Sequence, residues 1–159
     1  YGCVHCFNFE PMLADWVESK GSDINFVRTP AIANDYWRIL GRAYFTLDQM
    51  EVLEGKHMAM FRAIHRSRSD LSTPEALIDF IEENGVDRDK FESTYHSTQV
   101  DSAINRADQM ARRLKVATVP TIVIQGKYQI RATRSIGQTR MLDVMDYLVG
   151  LEQQPQKIN

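Results

Sequence analysis

Two cysteines, Cys3 and Cys6, are the only thiols in this chain, and Val4 and His5 alone separate them. Thiols at positions i and i+3 in the first turn of a helix can close a disulfide without moving the backbone. A helix start at Cys3 would also offer free N–H groups and the positive end of the helix dipole. Both favour a thiolate at Cys3, which makes that sulfur reactive near neutral pH and a good leaving group. Cys6, one turn further in, is expected to be the more shielded sulfur and suits a resolving role. His5 lies between them, where an imidazole can stabilise the Cys3 thiolate by charge or hydrogen bonding. The chemistry on offer is therefore thiol–disulfide exchange.

Two other uses of a Cys-x-x-Cys pair are weaker. As a structural staple it closes too small a loop to constrain the unfolded chain much. As half of a zinc site it needs a second Cys/His cluster. The remaining histidines, His57, His65 and His96, stand singly in predicted helices. His57 falls on an apolar helical face and reads as a core residue; His65 and His96 read as surface or boundary residues. No metal ligand set and no cofactor are expected.

The elements that must position the dithiol follow from periodicity. Phe7 to Lys20 reads as a helix with Phe9, Met12, Leu13, Trp16 and Val17 on one face, Pro11 as a kink and Gly21 as a stop. Ile24 to Arg28 is a short β-prone run ended by Thr29-Pro30. From Asn34 to about Lys115 the chain reads as almost all helix. Asn34 and Asp35 can cap the first of these helices. Thr46 and Gln49 suggest a capping box for a second, whose buried face would hold Met50, Leu53, His57, Met60, Phe61 and Ile64. Thr73-Pro74-Glu75 opens a third and Asp87 a fourth; Val100, Ile104, Ala107, Ala111 and Leu114 mark a fifth. Thr121 to Ile124 is a β-branched run, and Gly126-Lys127 can form a two-residue turn before Tyr128 to Ala132. A helix from Gln138 to Leu151 carries Met141, Leu142, Met145, Leu148 and Val149. The polar tail from Glu152 to Asn159 is expected to fray. Trp37, Tyr44, Phe45, Met58 and Met60 could border a groove, although at helical spacing such residues are more often core.

The 159 residues suit one domain carrying a large insertion, and 43% apolar with 25% charged residues describes an ordinary globular protein. A net charge of -2 with scattered basic residues gives no reason to expect nucleic acid. No apolar stretch approaches the ~18–20 residues a membrane span needs. Helices grouped between sheet elements suggest an α/β domain with an all-helical insertion.

Three places carry a resemblance to the DsbA-like thiol–disulfide oxidoreductases of the thioredoxin superfamily. Cys3-Val4-His5-Cys6 is similar to the family's Cys-Pro-His-Cys motif, with Val4 in place of proline. Pro11 matches the proline of the active-site helix. Thr118-Val119-Pro120, followed by a β-run, resembles the family's cis-proline loop. The interval from Cys6 to Pro120 is far longer than a compact thioredoxin domain needs, and the helical block fills it as the DsbA-type insertion does.

That resemblance implies a thioredoxin-like fold divided into residues 1–33, a helical insertion at 34–115, and a second thioredoxin-like part at 116–159. It implies a periplasmic, monomeric dithiol oxidase that donates its disulfide to reduced, folding secreted proteins and is reoxidised by a DsbB-like membrane quinone reductase. Cys3 and Cys6 would be the exchanging thiols, assisted by His5. Thr118, Val119 and Pro120 would bind an extended substrate peptide through the Val119 backbone. Glu10 matches a buried acid that lies under the dithiol in some members; its lysine partner is not evident in Ile24-Asn25-Phe26-Val27-Arg28. Glu10 is thus a candidate for proton transfer, against the simpler reading of a helix-surface carboxylate. A thioredoxin sheet also has a central strand before the active-site helix, whereas Tyr1-Gly2 alone precede Cys3, so upstream residues are expected in the intact protein. The alternatives are a reductase or isomerase on the same fold, a non-catalytic metal-binding module, and a glutathione-dependent transferase, against which the intact Cys-x-x-Cys argues.

Overall fold

The computed structural model describes residues 1–133 and 136–154. Its elements, in chain order, are α1 (Val4–Lys20), a 3-10 turn (Gly21–Asp23), α2 (Asp35–Gln49), α3 (Leu53–His65), α4 (Pro74–Glu83), α5 (Arg88–Tyr95), α6 (Thr98–Arg113), β1 (Thr121–Ile124), β2 (Tyr128–Arg131) and α7 (Gln138–Gln153). This is a thioredoxin-like arrangement with a helical insertion, in which the described strands form one antiparallel pair.

The helix starts are chemically legible. Asn34 accepts the Trp37 N–H at 2.8 Å, Thr73 the Ala76 N–H at 3.2 Å, Asp87 the Lys90 N–H at 2.7 Å and Ser97 the Val100 N–H at 3.3 Å. Each cap satisfies a backbone donor that the helix cannot. Thr73→Ala is expected to cost about 1 kcal/mol. Urea unfolding should show this as a lower midpoint with an unchanged slope.

Two buried clusters form. One joins α2, α3, α4 and α5 around Leu40, Leu47, Met60, Leu77, Ile81 and Phe91. The other joins α1, the hairpin and α7 around Phe9, Leu13, Trp16, Ile130, Met141 and Met145. Helix α6 lies along α2 through Val100, Ala103, Ile104 and Ala107. The α1 helix runs unbroken through Pro11, whose missing N–H removes only one bond of the ladder. Among the described residues no helix is long and apolar enough to cross a membrane.

Four local expectations are corrected. Thr46 does not cap the second helix of the block: it is buried inside α2, its hydroxyl donating to the Arg42 carbonyl at 2.8 Å, and α3 starts at Leu53 without a side-chain cap. Its bond to the i−4 carbonyl is the helix-interior use of a threonine. The hairpin loop has three residues, since Ile124 pairs with Tyr128, and Gln125 and Gly126 both take positive φ (51° and 68°). Gly126 does so without a Cβ penalty. Ile24–Arg28 is not a strand, because no described strand pairs with it. It does alternate as one, with Ile24, Phe26 and Arg28 half-buried and Asn25 and Val27 exposed. Finally, the fraying expected from Glu152 does not begin at that residue, since α7 extends to Gln153 and Glu152 pairs with Lys127 at 2.6 Å. Residues 155–159 of that tail lie outside the described residues.

Candidate active site

Cys3 is the N-cap of α1, in extended conformation (φ −98°, ψ 111°), and its sulfur accepts the Cys6 backbone N–H at 3.1 Å. A sulfur in the cap position does what a serine or aspartate oxygen does elsewhere, with the helix dipole behind it. The two thiols are free, and the Cys6 thiol donates to the Cys3 sulfur across 2.7 Å.

These contacts split the two thiols. The hydrogen bond from the Cys6 thiol lowers Cys3 most; burial opposes it, and the backbone N–H groups of Cys6 and His5, then the His5 charge, lower it further. The net result is a Cys3 thiol at about 6, against an ordinary value of 9.0. Cys6 moves the other way: donating its proton to Cys3, burial and the neighbouring Cys3 charge all hold it protonated, and Glu10 adds to this. Backbone donors and Cys6 therefore contribute more than His5, whose ring is exposed.

Exposure reverses the expected order of shielding. Cys3 is buried (9% exposed) and Cys6 is half-buried. The loop after α6 covers Cys3: the Val119–Pro120 bond is cis, and the Val119 carbonyl lies 3.8 Å from the Cys3 sulfur. Thr118 is exposed, its carbonyl accepting the Thr121 hydroxyl at 2.6 Å. The structure thus brings Cys3, Cys6, Val119 and Pro120 onto one cavity of about 790 Å³, which Glu10 also lines.

Glu10 is no surface carboxylate. It is buried (7% exposed), and Oε1 accepts from Arg28 Nε at 2.8 Å and Nη2 at 2.6 Å. His57 Nε2 stands 3.5 Å from the same oxygen, while Nδ1 is 3.1 Å from the Tyr1 hydroxyl. The Tyr44 hydroxyl donates to the Arg28 carbonyl at 3.2 Å, which steadies the cation. Burial alone would raise the Glu10 carboxyl, but the close approach of His57, the Arg28 hydrogen bond and the Arg28 charge outweigh it and leave the group below its ordinary value.

Sequence reasoning missed several of these neighbours. Arg28 was detectable: once the run from Ile24 is read with period two, Arg28 shares the inward face of Ile24 and Phe26. His57 reads as core from its apolar helical face, and nothing local shows that Glu10 faces it. Gln138, whose side-chain amide donates to the His5 carbonyl at 2.6 Å, carried no signal at all. Of the aromatic and methionine residues considered for a groove, Trp37 and Tyr44 line the cavity, whereas Met60 is fully buried in the helical core. Trp37 packs so closely on Gly2 that a Cβ there would run into the indole. His65 is half-buried and stacks on Phe7 (centroids 5.3 Å apart, planes at 15°). Among the described residues no group of three or more His, Cys, Asp or Glu converges as a metal ion would require.

The DSBA-like thioredoxin domain family matches residues 12–149. The chain is 39% identical over 152 residues to the thiol:disulfide interchange protein DsbA of Pseudomonas aeruginosa, covering 96% of this chain and 72% of that protein. The chain belongs to the DsbA-like thioredoxin-domain family. The DsbA of Azotobacter vinelandii is 36% identical over 156 residues, covering 98% of this chain and 73% of that one. The crystal structure of Pseudomonas aeruginosa DsbA superposes with a TM-score of 0.91 at 38% identity, over 96% of this chain and 80% of that one. The family match opens at Met12, after the dithiol, so for this DsbA-like chain the parts played by Cys3 and Cys6 are argued from their geometry.

Proposed function

We propose that this DsbA-like protein is a dithiol oxidase that donates a Cys3–Cys6 disulfide to reduced, folding secreted proteins. The observation that carries the reading is the split between the thiols, Cys3 lowered to about 6 and Cys6 raised. A stable Cys3 thiolate favours the reduced protein over its disulfide, which makes the disulfide oxidising.

In the proposed reaction a substrate thiolate attacks the Cys3 sulfur. The Cys3–Cys6 bond breaks, and Cys6 leaves with the electron pair and takes up a proton. A second substrate thiol, as thiolate, then attacks the substrate sulfur of the mixed disulfide; the substrate disulfide forms and Cys3 departs as thiolate. Thr118, Val119 and Pro120 present the backbone against which an extended substrate would align. His5 assists the Cys3 thiolate through its charge, and Glu10 exchanges the proton of Cys6. The helical block, residues 34–115, acts as an insertion between the two thioredoxin-like parts, 1–33 and 116–159. The working compartment is the periplasm, the protein acts as a monomer, and a DsbB-like membrane quinone reductase restores the disulfide.

Equilibration with graded glutathione buffers, followed by thiol trapping and mass measurement, tests the reading. A potential well above the glutathione poise is expected; one near that of thioredoxin would instead make the protein a reductase or isomerase.

A further inference from the structure

Buried Glu10 and half-buried His57 and Tyr1 form a polar chain lining the same cavity as the dithiol. The Arg28 and His57 contacts of the carboxylate all fall on Oε1. Among the described residues Oε2 takes no hydrogen bond, and Glu10 lines the same cavity as Cys6. An ionised carboxylate only accepts, so His57 Nε2 must be the atom that carries hydrogen toward it. That nitrogen is buried and makes no hydrogen bond, so the 3.5 Å approach to Oε1 is the polar contact it has. The ring itself is clamped: Tyr1 holds Nδ1 at 3.1 Å, and Phe61 and Tyr44 stand edge-on to it at 5.3 Å and 6.0 Å.

We propose that His57 is a positioning residue for Glu10. With Arg28 it ties down Oε1, so that Oε2 remains turned to the cavity for exchange with the Cys6 proton. The inference rests on the reading of Glu10 as the proton-transfer group. The step it serves is resolution of a mixed disulfide. With oxidised glutathione as probe, the Cys3 thiolate attacks one glutathione sulfur, and a Cys3–glutathione disulfide forms as glutathione thiolate leaves. The Cys6 thiol then passes its proton to Glu10 Oε2, its sulfur bonds to Cys3, and the second glutathione departs as thiolate and is protonated by solvent. Glu10 returns its proton to solvent.

The experiment follows both steps in reduced full-length protein by acid quench and intact mass. His57→Phe keeps the ring contacts and removes both nitrogens; His57→Gln keeps a donor near the Nε2 position. His57→Phe should slow resolution about tenfold and leave Cys3 attack within about twofold, with His57→Gln recovering most of the loss. Glu10→Gln should slow resolution at least as much, and adding His57→Phe to it should cost nothing further. Equal slowing of both steps, unchanged resolution in His57→Phe, or a full extra loss in the double variant overturns the role of His57. Normal resolution in Glu10→Gln, with a slow His57→Phe, instead removes the Glu10 reading on which the inference stands. If His57→Phe does not fold, His57→Leu takes its place under the same criteria: slowed resolution with recovery in His57→Gln supports the proposal, and unchanged resolution or slowing of both steps overturns it.

Discussion

Cys3→Ser is expected to abolish oxidation of a reduced peptide dithiol, a loss of at least about 10⁴-fold, while the protein stays folded. A serine hydroxyl can cap α1 as the sulfur does, so the loss isolates the chemistry from the cap. In the unsubstituted reduced protein, alkylation by iodoacetamide should rise with pH around a midpoint near 6. That phase should vanish in Cys3→Ser and persist in a Cys6 variant, although removing the Cys6 hydrogen bond should move the midpoint upward. Cys6→Ser should still attack a disulfide probe and then stop at the mixed disulfide. A midpoint near the ordinary 9.0 would remove the thiolate argument. The same shift sets a stability trend. The folded Cys3 thiol lies below its unfolded value, so the reduced protein holds its full advantage above the unfolded value, and loses it as pH falls through about 6. The disulfide form has no thiol to titrate there, so the gap in melting temperature between the two forms should change over this window.

Arg28→Met should cost about 3 kcal/mol at neutral pH, because it leaves the Glu10 carboxylate buried with only His57 beside it. This lies toward the lower end for a broken buried pair, since 29% of the Arg28 side chain is exposed. In a domain of this size the loss corresponds to roughly 10 °C in Tm. The pH dependence has a defined sign. Glu10 sits below its ordinary value in the fold, so the pair stabilises above that ordinary range and the contribution fades as pH falls through the lowered value. The difference between Arg28→Met and the unsubstituted protein should therefore be full at neutral pH and shrink in acid. Glu10→Gln combined with Arg28→Met should recover most of the stability, since no charge is then left buried. Thermal melts of these three proteins across pH settle it: equal destabilisation at every pH would mean lost packing over Phe26, where the guanidinium lies 4.9 Å from the ring centroid, rather than a stranded charge.

Much of this protein was determined by its sequence alone. The Cys-x-x-Cys pair, the helix caps at Asn34, Thr73 and Asp87, and the β-branched run from Thr121 are local signals, because capping and strand preference act over a few residues. The helix–strand order with its helical block followed from the same signals. What the sequence could not decide was which buried faces meet. Glu10 is a candidate proton-transfer acid by resemblance alone; its burial is not legible locally, because its partner Arg28 lies in an unpaired extended segment and His57 lies on a separate helix. Thr46 looked like a cap because hydroxyls serve both helix starts and helix interiors, and only the bond to Arg42 tells them apart. The order of exposure of Cys3 and Cys6 was likewise set from a distance, by the Val119–Pro120 loop closing over Cys3. Burial and charge pairing are tertiary quantities, fixed by residues far apart in the chain, and they determine the electrostatics of a dithiol whose spacing is plain in four residues.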